Sequence, residues 1–154
     1  MEFAKKIVET TEEIFSTMVF MQISALPPLE QDQEKQAIGE HISAMIGLSG
    51  DLVAMLSIHC PQAVGLKISG EMLGMEFTEV DADVKDTIGE IANMLAGGLK
   101  ERFAKEEILL QLAIPTTITG KAYSVAPPKK GNRVIVPFKV EAGQFFIEIK
   151  YKLT

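Results

Sequence analysis

The sequence contains a single cysteine, Cys60, and no apolar run long enough to form a membrane-spanning helix. One thiol excludes an intrachain disulfide framework and a cysteine-based metal cluster. A spanning helix needs roughly 20 apolar residues, whereas Ser, Gly, His or Lys interrupts each of the longer apolar stretches here. The N-terminal segment carries Glu9, Glu12 and Glu13 where a secretory signal would have its apolar core. We therefore expect a soluble cytoplasmic protein with no membrane contact.

Basic residues are too few for a typical nucleic-acid-binding protein. The 15 Lys and Arg residues are outnumbered by 21 Asp and Glu residues, and the formal net charge is −6. Nucleic acids are bound mainly through Lys and Arg on phosphates, so this balance argues against such a partner. The densest basic run, Lys129-Lys130 with Arg133, has no aromatic platform and is interpreted as a solvated loop. An acidic surface instead suits a partner with a basic rim.

Length and apolar content predict one folded domain over residues 1–154. The apolar fraction of 47% is too high for a disordered chain. Hydrophobic spacing and the positions of proline and glycine predict helices over about residues 2–23, 61–73 and 81–104. The same signals predict strands over residues 42–48, 52–58, 108–114, 116–121, 134–140 and 145–153. This order indicates an α+β domain in which helices pack on an antiparallel sheet.

The predicted helix over residues 81–104 has two faces of different chemistry. Its apolar stripe consists of Ile88, Ile91, Leu95 and Leu99. A polar row on another face consists of Asp86, Glu90, Asn93 and Gly97, spaced i, i+4, i+7 and i+11. Gly97 and Gly98 each lower helix stability by roughly 1 kcal/mol relative to alanine. Such a cost indicates close packing, or the close approach of another molecule, at this point of the helix.

The segment from Asp86 to Asn93 resembles a known family motif. Its pattern is Asp or Ser, three residues, Glu, two residues and Asn, as in the CheC/CheX/FliY phosphatases. Pro115 stands at about the place where a proline follows this motif in the family. The opening helix, the hairpin around Gly50 and the order of helices and strands also resemble CheX across nearly the whole chain. The resemblance implies a CheC/CheX-like single domain.

The resemblance also implies an activity, which is dephosphorylation of the aspartyl phosphate of the chemotaxis response regulator CheY. Asn93 would orient the attacking water, and Glu90 would dock the regulator by pairing with a lysine of its active site. Mg²⁺ would be supplied by the phosphorylated partner, and this chain would bind no cofactor. CheC resembles a protein with two such sites, but the only asparagines here are Asn93 and Asn132. A single CheX-like site is therefore implied.

The residues of interest also have structural interpretations. Asp86 is interpreted as a residue that stabilises the helix N-terminus, and Glu90 by itself would be one more solvated carboxylate. His41 and His59 lie at predicted strand margins, and no serine or carboxylate is predicted in a position to make either ring a catalytic base. Cys60 is expected to be a small buried hydrophobe rather than a nucleophile.

Two other functions stay open beside the phosphatase. A CheX-like domain would also be able to dock a response regulator, or another chemotaxis protein, without turnover. A related domain would be able to act as a structural component of the flagellar switch. The intact Glu90 and Asn93 pair favours the enzyme over both alternatives.

The resemblance further implies a homodimer that extends a sheet across its interface. The strands predicted over residues 42–48, 52–58 and 134–140 are apolar on both faces, and so short a chain offers few helices to cover them. Strand edges with little charge also pair readily with another chain. A twofold interface is therefore expected, with one active site in each subunit.

Overall fold

A computed structural model of the chain describes residues 2–29, 41–120 and 132–153, and these ranges contain three helices and seven strands. The helices are α1 (Phe3–Ile14, continued by a π-helical turn over Phe15–Val19), α2 (Gln62–Leu73) and α3 (Ala82–Ala104). The strands are β1 (Ser24–Ala25), β2 (His41–Gly50), β3 (Leu52–Pro61), β4 (Leu110–Leu112), β5 (Thr116–Gly120), β6 (Asn132–Val140) and β7 (Gly143–Leu153). No helix in these ranges is both long and apolar enough to span a membrane.

The seven strands form one antiparallel sheet. The strand order is β1-β6-β7-β3-β2-β4, and β5 also pairs with β2, on the same side as β4. Strands β3 and β7 are neighbours, so the two long hairpins β2–β3 and β6–β7 lie side by side at the centre. The predicted α+β architecture with an antiparallel sheet is confirmed, and the two-residue strand β1 is an addition that the sequence did not predict.

The turn between β2 and β3 also holds the segment that follows α3. Gly50 has a φ of 123°, and a Cβ there would lie 2.5 Å from the carbonyl oxygen of Leu109, so glycine is required. The amide of Asp51 donates to that carbonyl at 3.0 Å, and the amide of Leu109 donates to Oδ2 of Asp51 at 2.8 Å. The predicted hairpin around Gly50 is present, and its turn anchors the chain between α3 and β4.

Helix α1 ends earlier than the hydrophobic spacing predicts. Helical structure was expected to about residue 23, but it stops at Val19 after a π-helical turn. The amide of Met21 donates to the carbonyl of Phe15 at 3.1 Å, and Phe20 has a left-handed φ of 62°. A residue in this conformation cannot continue a right-handed helix, which explains the early end.

Helices α2 and α3 begin and end close to their predicted positions. Pro61 precedes α2, and Gly74 ends it with a left-handed φ of 68°. At the start of α3, the Asp81 carboxylate accepts a hydrogen bond from the amide of Val84 at 3.0 Å. The N-cap is therefore Asp81. Asp86 was predicted to stabilise the helix N-terminus, but it is the fifth residue of α3 and lies beyond the first turn. Interactions with a helix N-terminus are confined to that first turn.

The helices cover one face of the sheet, and the hydrophobic core lies between the two layers. Its strand residues include Ile42, Ile46, Leu52, Leu56, Ile58, Phe138, Phe145, Ile147 and Ile149. The opposite face was predicted to be apolar as well, and it is mixed. Val53 and Met55 are 50% and 41% exposed there, beside the buried side chains of Ser43, His59 and Glu148.

The basic run that was interpreted as a solvated loop is only partly described. Lys129 and Lys130 lie outside the described residues, as does Lys121 at the end of a predicted strand. Arg133 lies in β6 with an exposed fraction of 2%, so the loop interpretation is wrong for this residue. The strand begins at Asn132, before the apolar residues that predicted it.

Candidate functional site

Burial of one apolar stripe fixes the orientation of α3. Ile88, Ile91, Leu95 and Leu99, the stripe predicted from the sequence, are each at most 1% exposed. They lie in the main core together with residues of the sheet, and Phe103 continues the stripe towards the end of the helix. Because an α-helix has about 3.6 residues per turn, the side opposite this stripe must face away from the sheet.

The outer side of α3 carries the predicted polar row, which we define as Asp86, Glu90, Asn93 and Gly97. Asp86 and Glu90 are exposed, and Asn93 and Gly97 are half-buried. At about 1.5 Å of rise per residue, the row extends roughly 16 Å along the helix. The structure therefore brings the predicted site residues onto one accessible surface.

The side chains of Glu90 and Asn93 have no partner inside the described part of the chain, where neither makes a hydrogen bond or an ion pair. The Glu90 carboxylate accepts hydrogen bonds, and the Asn93 amide both donates and accepts them. Glu90 can thus pair with a cation on another molecule, and Asn93 can hold a water molecule. Both functions require a partner surface, because the row is convex and encloses no substrate by itself.

Strand β5 supports the N-terminal half of α3. The hydroxyl of Thr117 donates to the carbonyl of Lys85 at 3.3 Å, and a Cβ at Gly89 would lie 3.0 Å from that hydroxyl oxygen. Glycine at this position therefore permits the close approach of helix and strand. Pro115 is half-buried between β4 and β5, the two strands that pair with β2. Its place directly before β5 fits a role in shaping the ends of strands, which stays a prediction.

Helix α1 lacks the residues for a second site of the same kind. It contains no asparagine, as the sequence shows. Its Glu13 carboxylate pairs with Arg102 of α3 at 3.2 Å, and the hydroxyl of Ser16 donates to the Glu13 carbonyl at 3.0 Å. These polar groups are therefore used within the chain, in contrast to those of the polar row.

A buried polar cluster on the other face of the sheet was missed by the sequence prediction. Oγ of Ser43 lies 2.8 Å from Nδ1 of His59, and Oε1 of Glu148 lies 3.0 Å from Nε2 of the same ring. The sequence did not predict a serine and a carboxylate beside the His59 ring, and the structure places both there. Strand register brings them together, since Ser43 is opposite His59 and Ser57 is opposite Glu148. Register between distant strands is not visible in local spacing.

This cluster has the residue types of a hydrolytic triad, but it is closed to substrates. Ser43, His59 and Glu148 are 0%, 1% and 2% exposed. Their hydrogen bonds link β2, β3 and β7 across the centre of the sheet. A buried carboxylate requires such partners, because burying an unpaired charge is strongly unfavourable. The cluster is therefore a structural link between strands.

The single cysteine, Cys60, also has a structural role. Burial raises the pKa of the Cys60 thiol to about 12, so the thiol stays protonated and unreactive near neutral pH. This confirms that Cys60 is a buried hydrophobe. Among the side chains of residues 2–29, 41–120 and 132–152, no three from His, Cys, Asp or Glu are grouped so that they could hold a metal ion.

We expect Glu148→Ala to lower the free energy of unfolding by about 2–4 kcal/mol, because removal of one partner leaves a buried imidazole without its carboxylate. Urea denaturation measures this loss. The control is Lys150→Ala, two residues further along β7 and exposed, which should change stability by less than about 0.5 kcal/mol. Equal effects of the two substitutions would contradict the structural role of the cluster.

Comparison with known families gives one match, to the model of the chemotaxis phosphatase CheX. The match covers residues 42–139, which include the whole of α3 and both Glu90 and Asn93. A comparison with curated protein sequences found no match.

The fold is also similar to that of several solved structures. The crystal structure of chemotaxis protein CheX from Vibrio vulnificus has 27% sequence identity and a TM-score of 0.87, covering 99% of this chain and 100% of that chain. CheX from Desulfovibrio desulfuricans has 26% identity and the same TM-score and coverage. A chain of the CheX–CheY–BeF₃–Mg²⁺ complex from Borrelia burgdorferi has 14% identity and a TM-score of 0.75, covering 97% of each chain. At 14% identity the likeness shows the fold alone.

Proposed function

The chain belongs to the CheX family of chemotaxis phosphatases, and we propose that it removes the phosphoryl group from the aspartyl phosphate of a CheY-like response regulator. The observation that carries this proposal is the polar row of α3. There Glu90 and Asn93 are one turn apart, accessible, and without partners among the described residues. The Borrelia burgdorferi structure of similar fold is a complex with CheY, BeF₃ and Mg²⁺, and it motivates this choice of partner.

In this proposal Asn93 orients the water that attacks phosphorus. The water oxygen forms a bond to phosphorus as the bond to the aspartyl oxygen breaks, which yields inorganic phosphate and a free aspartate on the regulator. The transition state of phosphoryl transfer is loose, so positioning contributes much of the catalysis. An amide suits the task because its carbonyl accepts a hydrogen bond from the water while its NH₂ group donates to a phosphoryl oxygen.

Glu90 docks the regulator by pairing with a lysine that lines the regulator's active site. The pair holds the two proteins in one orientation, with Asn93 one turn further along α3. The regulator would hold the Mg²⁺ ion, and the residues of this chain would bind and orient only. Since this substrate is a signalling protein of the cytoplasm, we place the protein there as well.

We expect Asn93→Ala to reduce the stimulated decay of the phosphorylated regulator by roughly 100-fold or more, because the water is no longer held in line. Decay of the regulator's ³²P label, with and without the protein, measures the rate. Asn132→Ala is the matched control, since it removes the other asparagine at an exposed position outside α3. A wild-type rate for Asn93→Ala, in a folded protein, would exclude the water-orienting role.

We expect Glu90→Ala to weaken docking, so that KM for the regulator rises severalfold and kcat falls less. The substitution should also make KM less sensitive to salt. Salt screens the attraction between the Glu90 carboxylate and the regulator's lysine, and the variant lacks that attraction. Initial rates over a range of regulator and salt concentrations measure both effects. Glu12→Ala, a control at an exposed glutamate of α1, should leave them unchanged. Normal rates for Glu90→Ala at all concentrations would refute the docking role.

A homodimer built by sheet pairing stays a prediction. Strand β5 contains no charged residue, and among the described strands none pairs with its outer edge. Val53, Met55 and Ile118 are 41–50% exposed, which adds apolar surface for a second copy. Light scattering at micromolar concentration should therefore give twice the chain mass of 16.8 kDa. A monomer would refute the dimer but not the phosphatase, because each α3 can dock a regulator alone.

A further inference from the structure

The two adjacent glycines of α3 have different surroundings. A Cβ added at Gly98 would lie 2.6 Å from Cγ2 of Thr10 on the neighbouring helix α1. Thr10 cannot easily rotate away, because its hydroxyl donates to the carbonyl of Lys6 at 2.6 Å. Gly98 is therefore required by the packing of α1 against α3.

No packing contact among the described residues requires glycine at Gly97. Among the described residues, no atom of another element lies within 4 Å of the position that its Cβ would occupy. Its φ is not positive, so the backbone conformation does not require glycine either. Glycine is nevertheless the least favourable residue for a helix interior apart from proline. Neither packing nor conformation within these residues explains its presence.

The position of Gly97 points to contact with another molecule. It follows Asn93 by four residues and therefore lies next to it on the polar row. A side chain at this position would project from the same surface as the Asn93 amide. It would meet any partner that approaches closely enough for that amide to reach a buried phosphoryl group.

Building on the proposed function, we propose that Gly97 is the point of closest approach between α3 and the phosphorylated regulator. The bare helix backbone there lets the regulator's surface come close enough for Asn93 to reach the phosphoryl group. Gly97 is thus a positioning residue that acts through Asn93. A displacement of about 1 Å can reduce an enzymatic rate roughly 100-fold, so even a small side chain is expected to matter.

The test compares Gly97→Ala and Gly97→Leu with two control variants of α3. Gly98→Ala should lower the melting temperature through its contact with Thr10. Ala104→Leu adds the same bulk at an exposed residue about 10 Å from Gly97 along the helix. Melting temperature and kcat/KM for decay of the phosphorylated regulator are measured for each protein, at a temperature where all are folded.

Both Gly97 variants should keep or raise the melting temperature. Their kcat/KM should fall, by severalfold for Gly97→Ala and by about tenfold or more for Gly97→Leu. The two controls should retain wild-type kcat/KM. Wild-type kcat/KM for Gly97→Leu, or an equal loss for Ala104→Leu, would overturn the inference. A wild-type protein that does not accelerate the decay at all would instead refute the proposed function, so the two failures are distinguishable.

Discussion

The apolar contact between α3 and the sheet determines what the rest of the structure can do. Ile88, Leu95 and the other residues of the stripe are buried, so the helix cannot rotate without exposing them. A rotation by one residue, about 100°, would also carry Asn93 away from the outer surface. Contacts along the helix add to this constraint. The hydroxyl of Thr117 donates to the carbonyl of Lys85 near the start of α3, and Gly98 packs against Thr10 of α1 further along. The polar row is therefore held by residues that take no part in its chemistry.

Accessibility, rather than residue type, separates the proposed functional surface from the structural cluster. Ser43, His59 and Glu148 have the chemistry of a hydrolytic triad, yet they are closed to substrates and link three strands. Glu90 and Asn93 supply only a carboxylate and an amide, and both are accessible from solvent. One carboxylate and one amide suffice in this account because the phosphoryl group, the metal ion and the lysine belong to the partner. The chain then needs only a convex helix that enters the partner's site.

The sequence predicts features that depend on local spacing and misses those that depend on tertiary contacts. The two faces of α3 follow from helical periodicity, which is why the sequence alone predicts its apolar stripe and its polar row. The early end of α1 was missed because its spacing does not reveal a left-handed Phe20. The partners of His59 were missed because they depend on register between distant strands. The adjacent glycines look alike in the sequence, and only the position of α1 shows that Gly98 packs against it and Gly97 does not.

The central claim is that the outer surface of α3 enters the active site of the phosphorylated regulator and places Asn93 beside the phosphoryl group. A crystal structure of the protein bound to a regulator activated by beryllofluoride, a mimic of the phosphoryl group, measures this directly. The account predicts that the Asn93 amide lies within about 4 Å of the mimic, on the side opposite the aspartyl oxygen, close enough to hold a water by hydrogen bonds. A complex in which the regulator binds elsewhere, with the polar row of α3 open to solvent, would contradict it.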